Sequence, residues 1–275
     1  MTAIKARGLR KTYGTHLAVG GIDLDIATGE VFALLGPNGA GKTTTVEILE
    51  GHRRRSGGDV SVLGEDPGAA GRAWRTRIGI VLQSAADAGD LTVAEVVRHV
   101  GGFYPRSRPV ADAIELVGLE DKAGARVRTL SGGQRRRLDV ALGIVGRPEL
   151  VFLDEPTTGF DPEARRQFWA LIRALAAEGT TILLTTHYLD EAEALADRLA
   201  VIAGGVIVAE GTPATLGGRS AAGAVVRWGG DQEVRTDDPA ALIAGLVGRG
   251  ADLSGLTVSR PSLEDTYLSL IGEAR

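Results

Sequence analysis

Residues Gly36-Pro37-Asn38-Gly39-Ala40-Gly41-Lys42-Thr43 constrain this chain more than any other feature. They match G-x-x-x-x-G-K-[ST] and directly follow the apolar run Val31-Phe32-Ala33-Leu34-Leu35. A strand that delivers Gly36 to a sheet edge, glycines that let the backbone curl and helix formers from Lys42 onward make a nest of N–H groups at a helix N-terminus. Such a nest binds polyphosphate. Lys42 is expected to neutralise the β- and γ-phosphates, and the Thr43 hydroxyl to complete the shell of a hard, octahedral cation such as Mg²⁺. Thr44 closes the expected nucleotide-binding stretch. The competing reading, a glycine-rich turn with a chance lysine, does not account for the strand before it and the helix after it.

Composition narrows the class around this loop. The chain has 275 residues, 44% of them hydrophobic and 24% charged, which suits a globular protein with a substantial core. A formal net charge of −4 with no long basic stripe makes nucleic acid an unexpected partner. The runs Arg53-Arg54-Arg55 and Arg135-Arg136-Arg137 are expected to be solvated faces. Cysteine is absent, which excludes disulfides and thiolate metal sites. Met1-Thr2-Ala3-Ile4-Lys5 lacks the apolar core of a signal peptide, and the longest apolar stretch, 199–209, is too short to span a bilayer. If the protein serves a membrane process, another chain is expected to supply the spanning part.

Along the chain, residues 4–9 and 22–26 alternate apolar and polar, predicting half-buried strands of an antiparallel sheet with Tyr13 on the connection between them. Strand character returns at 60–63 and again at 78–82, which ends at Gln83. Thr92 with Glu95 three residues on predicts a capped helix through Val100, and helical periodicity returns over 110–117. This helical block, about 84–146, includes the turn Leu130-Ser131-Gly132-Gly133-Gln134 and a helix after it. Apolar strands at 150–153 and 181–185 flank a helix over 162–177, and 201–208 reads as a hairpin. Alternating buried strands and helices predict a mostly parallel sheet covered on both faces, an α/β fold. The stretch 216–220 reads as a linker dividing a domain over 1–215 from a small α+β appendage over 220–275. The appendage is predicted to hold strands at 224–228, 233–236 and 256–259 and helices at 239–247 and 263–271.

Chemistry concentrates in the second half. Residues 150–153 bury a strand that delivers Asp154 beside the phosphate loop, where it can hold Mg²⁺ through a water. Glu155, next along, would face an attacking water and act as general base. Two solvated acids at a strand end are the alternative. Ser131 followed by two glycines before a helix offers a hydroxyl and bare backbone N–H groups, a second anion site. One nucleotide needs one cradle, so the second is explained if it serves the nucleotide of another copy.

Taken together, the phosphate loop, Leu130-Ser131-Gly132-Gly133-Gln134 and Leu150-Val151-Phe152-Leu153-Asp154-Glu155-Pro156 resemble the nucleotide-binding subunit of ATP-binding cassette (ABC) transporters. The resemblance runs over about 4–213, with the diagnostic motifs in the family's order. It implies a P-loop NTPase core with an N-terminal antiparallel β-subdomain, a helical subdomain carrying the signature, and the C-terminal appendage. It implies that Tyr13 stacks on adenine, that Gln83 contacts Mg²⁺ and the attacking water, and that His187 touches the γ-phosphate. Gly159-Phe160-Asp161 would touch the other subunit's site. Ser131, Gly132, Gly133 and Gln134 would act in trans in a head-to-tail dimer that sandwiches two ATP molecules. Phe160 stands where the family usually has leucine, and Ser84 follows Gln83 where an acid is common. Residues 261–268 are similar to the tail of ATPases serving exporters of the daunorubicin-resistance type; an ordinary amphipathic closing helix is the alternative there.

The expectation is an ATP-hydrolysing export subunit, working as a dimer on the cytoplasmic face of a membrane through a separate integral-membrane permease. An importer and a soluble assembly ATPase are the rivals. A cassette protein without a transport role would show two cassettes, a heptad insert or strong basic charge, and this sequence has none of these.

Overall fold

The computed structural model describes residues 1–81, 89–221 and 223–273. Strands β1 (Thr2–Tyr13) and β2 (His16–Ala27) form an antiparallel hairpin. Both are longer than the alternating segments alone predicted, and Tyr13 is the last residue of β1, opposite His16, rather than part of the connection. Next come β3 (Val31–Leu35), α1 (Lys42–Leu49) and β4 (Gly57–Val62), which completes a three-stranded sheet of order β2-β1-β4. The short α2 (Arg72–Arg75) carries Trp74, fully buried, whose Nε1 donates to the Val62 carbonyl at 2.8 Å.

After β5 (Ile78–Val81), Gln83 and Ser84 lie outside the described residues. Helix α3 (Val93–Gly101) starts with the expected capping box, Thr92 Oγ1 accepting from Glu95 N and Glu95 Oε2 from Thr92 N. There follow α4 (Val110–Leu116), α5 (Gly132–Ile144), β6 (Leu150–Asp154), α6 (Pro162–Ala177), β7 (Thr181–Thr186), α7 (Leu189–Leu195), β8 (Arg198–Ala203) and β9 (Val206–Gly211). The main sheet has the order β5-β6-β7-β3-β8-β9, with the first five strands parallel. β9 turns back antiparallel from β8 through Gly204 and Gly205.

The two-residue period of β3 divides the core. Phe32 and Leu34 face a cluster shared with Ile4, Leu9, Ile22 and Leu24 of the antiparallel sheet. Val31, Ala33 and Leu35 face a second cluster built with α3 to α7. Because both faces are covered, the parallel strands read as continuous apolar runs. Among the described residues, no helix is long and apolar enough to cross a membrane.

Residues 216–221 are not a linker. They form tight turns kinked at Gly217 and Gly218, which have positive φ, with Leu216 fully buried in the second cluster. Arg219 pins the segment by donating to Glu193 at 3.0 Å and to the carbonyls of Pro213 and Pro261 at 2.9 and 2.7 Å. Its glycines and serine have a linker's composition, but one leucine anchors it. The chain continues through β10 (Ala224–Trp228), β11 (Gln232–Thr236), α8 (Pro239–Gly248) and β12 (Thr257–Ser259), forming a small sheet of order β11-β10-β12. The last helix, α9 (Leu263–Glu273), returns to pack on α7 and β8, and Leu263 joins the same cluster as Leu216. Leu263→Ala should therefore cost about 2–5 kcal/mol of stability, as for other buried leucines. An unchanged urea midpoint would detach α9 from the core.

Candidate active site

The phosphate loop is shaped by what presses on it. A Cβ on Gly36 would lie 2.3 Å from the Ile202 carbonyl oxygen. One on Gly41 would lie 2.5 Å from that of Ala18, at a φ of +105°. Strands β8 and β2 thus admit only glycine at these two points. Helix α1 starts at left-handed Gly41 with no side-chain cap and no acid in its first turn, leaving its leading N–H groups to an anion. Lys42 is buried, and its Nζ donates to the carbonyls of Gly36 at 2.7 Å and Pro37 at 3.2 Å. Burial pulls its ammonium below the ordinary lysine range, while the charges of Glu155 and Asp154 push it back up. Ala40 is buried, Pro37 and Thr44 are half-buried, and Asn38, Gly39 and Thr43 are exposed.

Strand β7 lies between β3 and β6, so the carboxyl ends of three neighbouring strands meet at one edge. Asp154 ends β6, and its Oδ1 accepts from Thr185 Oγ1 on β7. Glu155 follows at a φ of +45°, a left-handed conformation that costs a non-glycine residue about 1–3 kcal/mol. Its N–H donates to the Thr185 carbonyl at 3.0 Å and to Thr185 Oγ1 at 3.2 Å. Its Oε1 lies 3.2 Å from Nδ1 of His187, which follows β7. Phosphate loop, paired acids and histidine are thus gathered at one sheet edge, although they span 36 to 187 in sequence.

The serine–glycine turn caps α5. Ser131 Oγ accepts from Gln134 N, and Gln134 Oε1 accepts from Ser131 N at 3.0 Å. A Cβ on Gly132 or Gly133 would meet nothing within 4 Å, and neither has positive φ. Glycine in a helix costs roughly 0.5–1 kcal/mol relative to alanine. Neither the backbone nor crowding within the chain requires these two glycines.

The other described candidates lie on separate elements. Tyr13 lies under two cations, with Lys11 Nζ at 5.0 Å and the Arg53 guanidinium at 5.3 Å from its ring centroid. Asp161 caps α6, accepting from Glu163 N and Ala164 N at 2.9 and 2.8 Å. Phe160 is turned inward, edge-on to Phe168 at 5.8 Å. Gln83 lies outside the described residues.

Four residues to which the sequence reading gave no part in the site are buried or anchored in the structure. Arg136 was expected in a solvated face, but it is buried, its Nε donating to the Pro156 carbonyl at 3.2 Å and its Nη2 to that of Asp154 at 2.8 Å. A helical row of Arg136, Val140 and Ile144, all buried, would have revealed it. Arg55 is also held in place, through both nitrogens to Asp66 at 2.8 and 2.7 Å. Glu50, the C-cap of α1, is buried, its carboxyl pushed up to about 8 by burial first and then by Asp154 and Glu47. Glu191 on α7 is fully buried, and burial raises its carboxyl too.

A family model described as "ABC transporter" matches residues 19–158. The daunorubicin/doxorubicin resistance ATP-binding protein DrrA of Streptomyces peucetius is 47% identical over 219 residues, covering 78% of this chain and 66% of that protein. The Nod factor export ATP-binding protein I of Cupriavidus pinatubonensis is 41% identical over 302 aligned positions, covering 99% of this chain and 92% of that protein. A solved ATP binding subunit of an ABC transporter superposes with a TM-score of 0.71 at 25% identity, over 77% of this chain and 90% of that one. The dimeric, post-hydrolysis cassette MJ0796 bound to ADP and Pi shares the fold, with a TM-score of 0.69 at 23% identity over 76% of this chain and 98% of that one.

Proposed function

The chain belongs to the ABC transporter family, and we propose that it is the ATPase subunit of an exporter, with two copies closing head to tail on two ATP molecules. The observation that carries the dimer reading is the bare serine–glycine turn. Two glycines that nothing inside the chain demands are explained by close approach of a second molecule's nucleotide, with Ser131, Gly132, Gly133 and Gln134 as its donors. Export follows the named roles of the two relatives, one a drug-resistance protein and one a Nod factor exporter. A separate integral-membrane permease would dock near Gln83 and hold the subunit on the cytoplasmic face of the membrane. Residues 220–275 would form an accessory unit beside the ATPase domain of 1–215.

In this reading Tyr13 stacks on adenine, and the loop from Gly36 to Thr44 wraps the phosphates. Lys42 exchanges its two carbonyl partners for phosphate oxygens. Glu155 takes the proton of the attacking water, and His187, 3.2 Å away, steadies that carboxylate while meeting the γ-phosphate. Asp161 reaches the neighbouring site. The all-oxygen set of Thr43 and Asp154 fits Mg²⁺, with Gln83 the third candidate; one Asp154 oxygen is already oriented by Thr185. When bound, Mg²⁺ supplies charge neutralisation between the phosphates.

The test is a double variant. Glu155→Gln should accumulate an ATP-bound dimer on size exclusion, and adding Ser131→Arg should abolish that dimer while the monomer still titrates a fluorescent ATP analogue. A dimer that persists in Glu155→Gln/Ser131→Arg would sink the in-trans assignment.

A further inference from the structure

Glu155 holds a conformation that its residue type disfavours, and such a conformation persists only where the surroundings over-determine it. Its N–H is held by Thr185. The carbonyls on either side of it, those of Asp154 and Pro156, are held by a single group, the Arg136 guanidinium. A guanidinium presents its donors in a rigid planar fork, so clamping both carbonyls specifies their relative orientation. Its buried charge is offset by Asp139, one helical turn on, and by Asp154 and Glu191. Arg136 also sits one turn into α5, the helix that begins with the serine–glycine turn.

We infer that Arg136 is a positioning residue for hydrolysis. It sets the peptide groups flanking Glu155 so that the carboxylate meets the attacking water. It also ties the backbone around Glu155 to the turn serving the partner's nucleotide, so each site's geometry depends on the seating of the other. This inference rests on reading Glu155 as the base. Arginine runs on helices usually serve solvent; here the middle arginine links two half-sites within one chain.

The experiment compares Arg136→Met and Arg136→Lys in the full chain with ATP and Mg²⁺. Arg136→Met should lower kcat about 10–100-fold, the range expected when a catalytic group is displaced by an ångström or so, with KM for ATP within about twofold. Arg136→Lys keeps the charge but lacks the fork, and should recover part of that loss. In a Glu155→Gln background neither substitution should lower the residual rate further, because the group on which Arg136 acts has gone. A loss that multiplies onto Glu155→Gln, a change confined to KM, or insolubility of both variants would assign Arg136 to stability alone and overturn the inference. Parental turnover in both arginine variants, with Glu155→Gln inactive, would overturn it as well. Parental turnover in Glu155→Gln itself is a separate failure, which removes the base and this inference with it.

Discussion

Glu155→Gln is expected to keep ATP binding and to lose about 10²–10⁴-fold in hydrolysis, the usual contribution of a positioned general base. The amide matches the carboxylate in size, and the contact with His187 at 3.2 Å remains sterically available. The backbone at φ +45° is held by Thr185 and Arg136 through main-chain groups, which the substitution leaves in place. What disappears is the basicity needed to take a proton from water. The measurement pairs phosphate release with size exclusion in ATP: turnover should collapse while a dimer accumulates. Hydrolysis at the parental rate would remove Glu155 as the base.

Lys42→Ala should act one step earlier, on binding. Its Nζ is buried between the carbonyls of Gly36 and Pro37 and within the electrostatic reach of Glu155 and Asp154. Deleting the ammonium takes away a cation that offsets both carboxylates beside the polyphosphate, and removes a charge-assisted hydrogen bond of about 1.5–3 kcal/mol. That corresponds to about 10–100-fold in ATP affinity. Fluorescent-nucleotide titration reads the loss directly, and an unchanged dissociation constant would exclude Lys42 as a phosphate ligand. The two variants thus divide the site, one blocking chemistry with nucleotide held and the other blocking entry of the nucleotide.

Most of the site's parts were legible where their causes are local. The strand 31–35, the glycines and Lys42 are contiguous, so the phosphate loop follows from one short window. Thr92 with Glu95 announces its helix because a capping box closes within four residues. His187 gained meaning only from the family's pattern, since a lone histidine after a strand carries no chemistry of its own.

The misreadings share a different cause. Arg136 was assigned to solvent because two arginines flank it, yet α5 turns it toward β6. The stretch 216–220 has the composition of a linker, yet Leu216 and Leu263 meet in the core from opposite ends of the appendage. Burial is a property of what folds over a residue, and in both cases the covering element lies at least 18 residues away in sequence.

By itself, then, the amino-acid order determined the phosphate cradle, the caps, the alternation of strands and helices and the family. Only the tertiary structure decided that β7 inserts between β3 and β6, bringing Glu155 to His187, and that Ile202 and Ala18 leave room only for glycine in the loop. It also decided that one arginine clamps the peptides around the base. The first set depends on hydrogen bonds and side-chain periods closed within a few residues. The second depends on which distant surfaces exclude water from each other, a choice made by the whole chain at once.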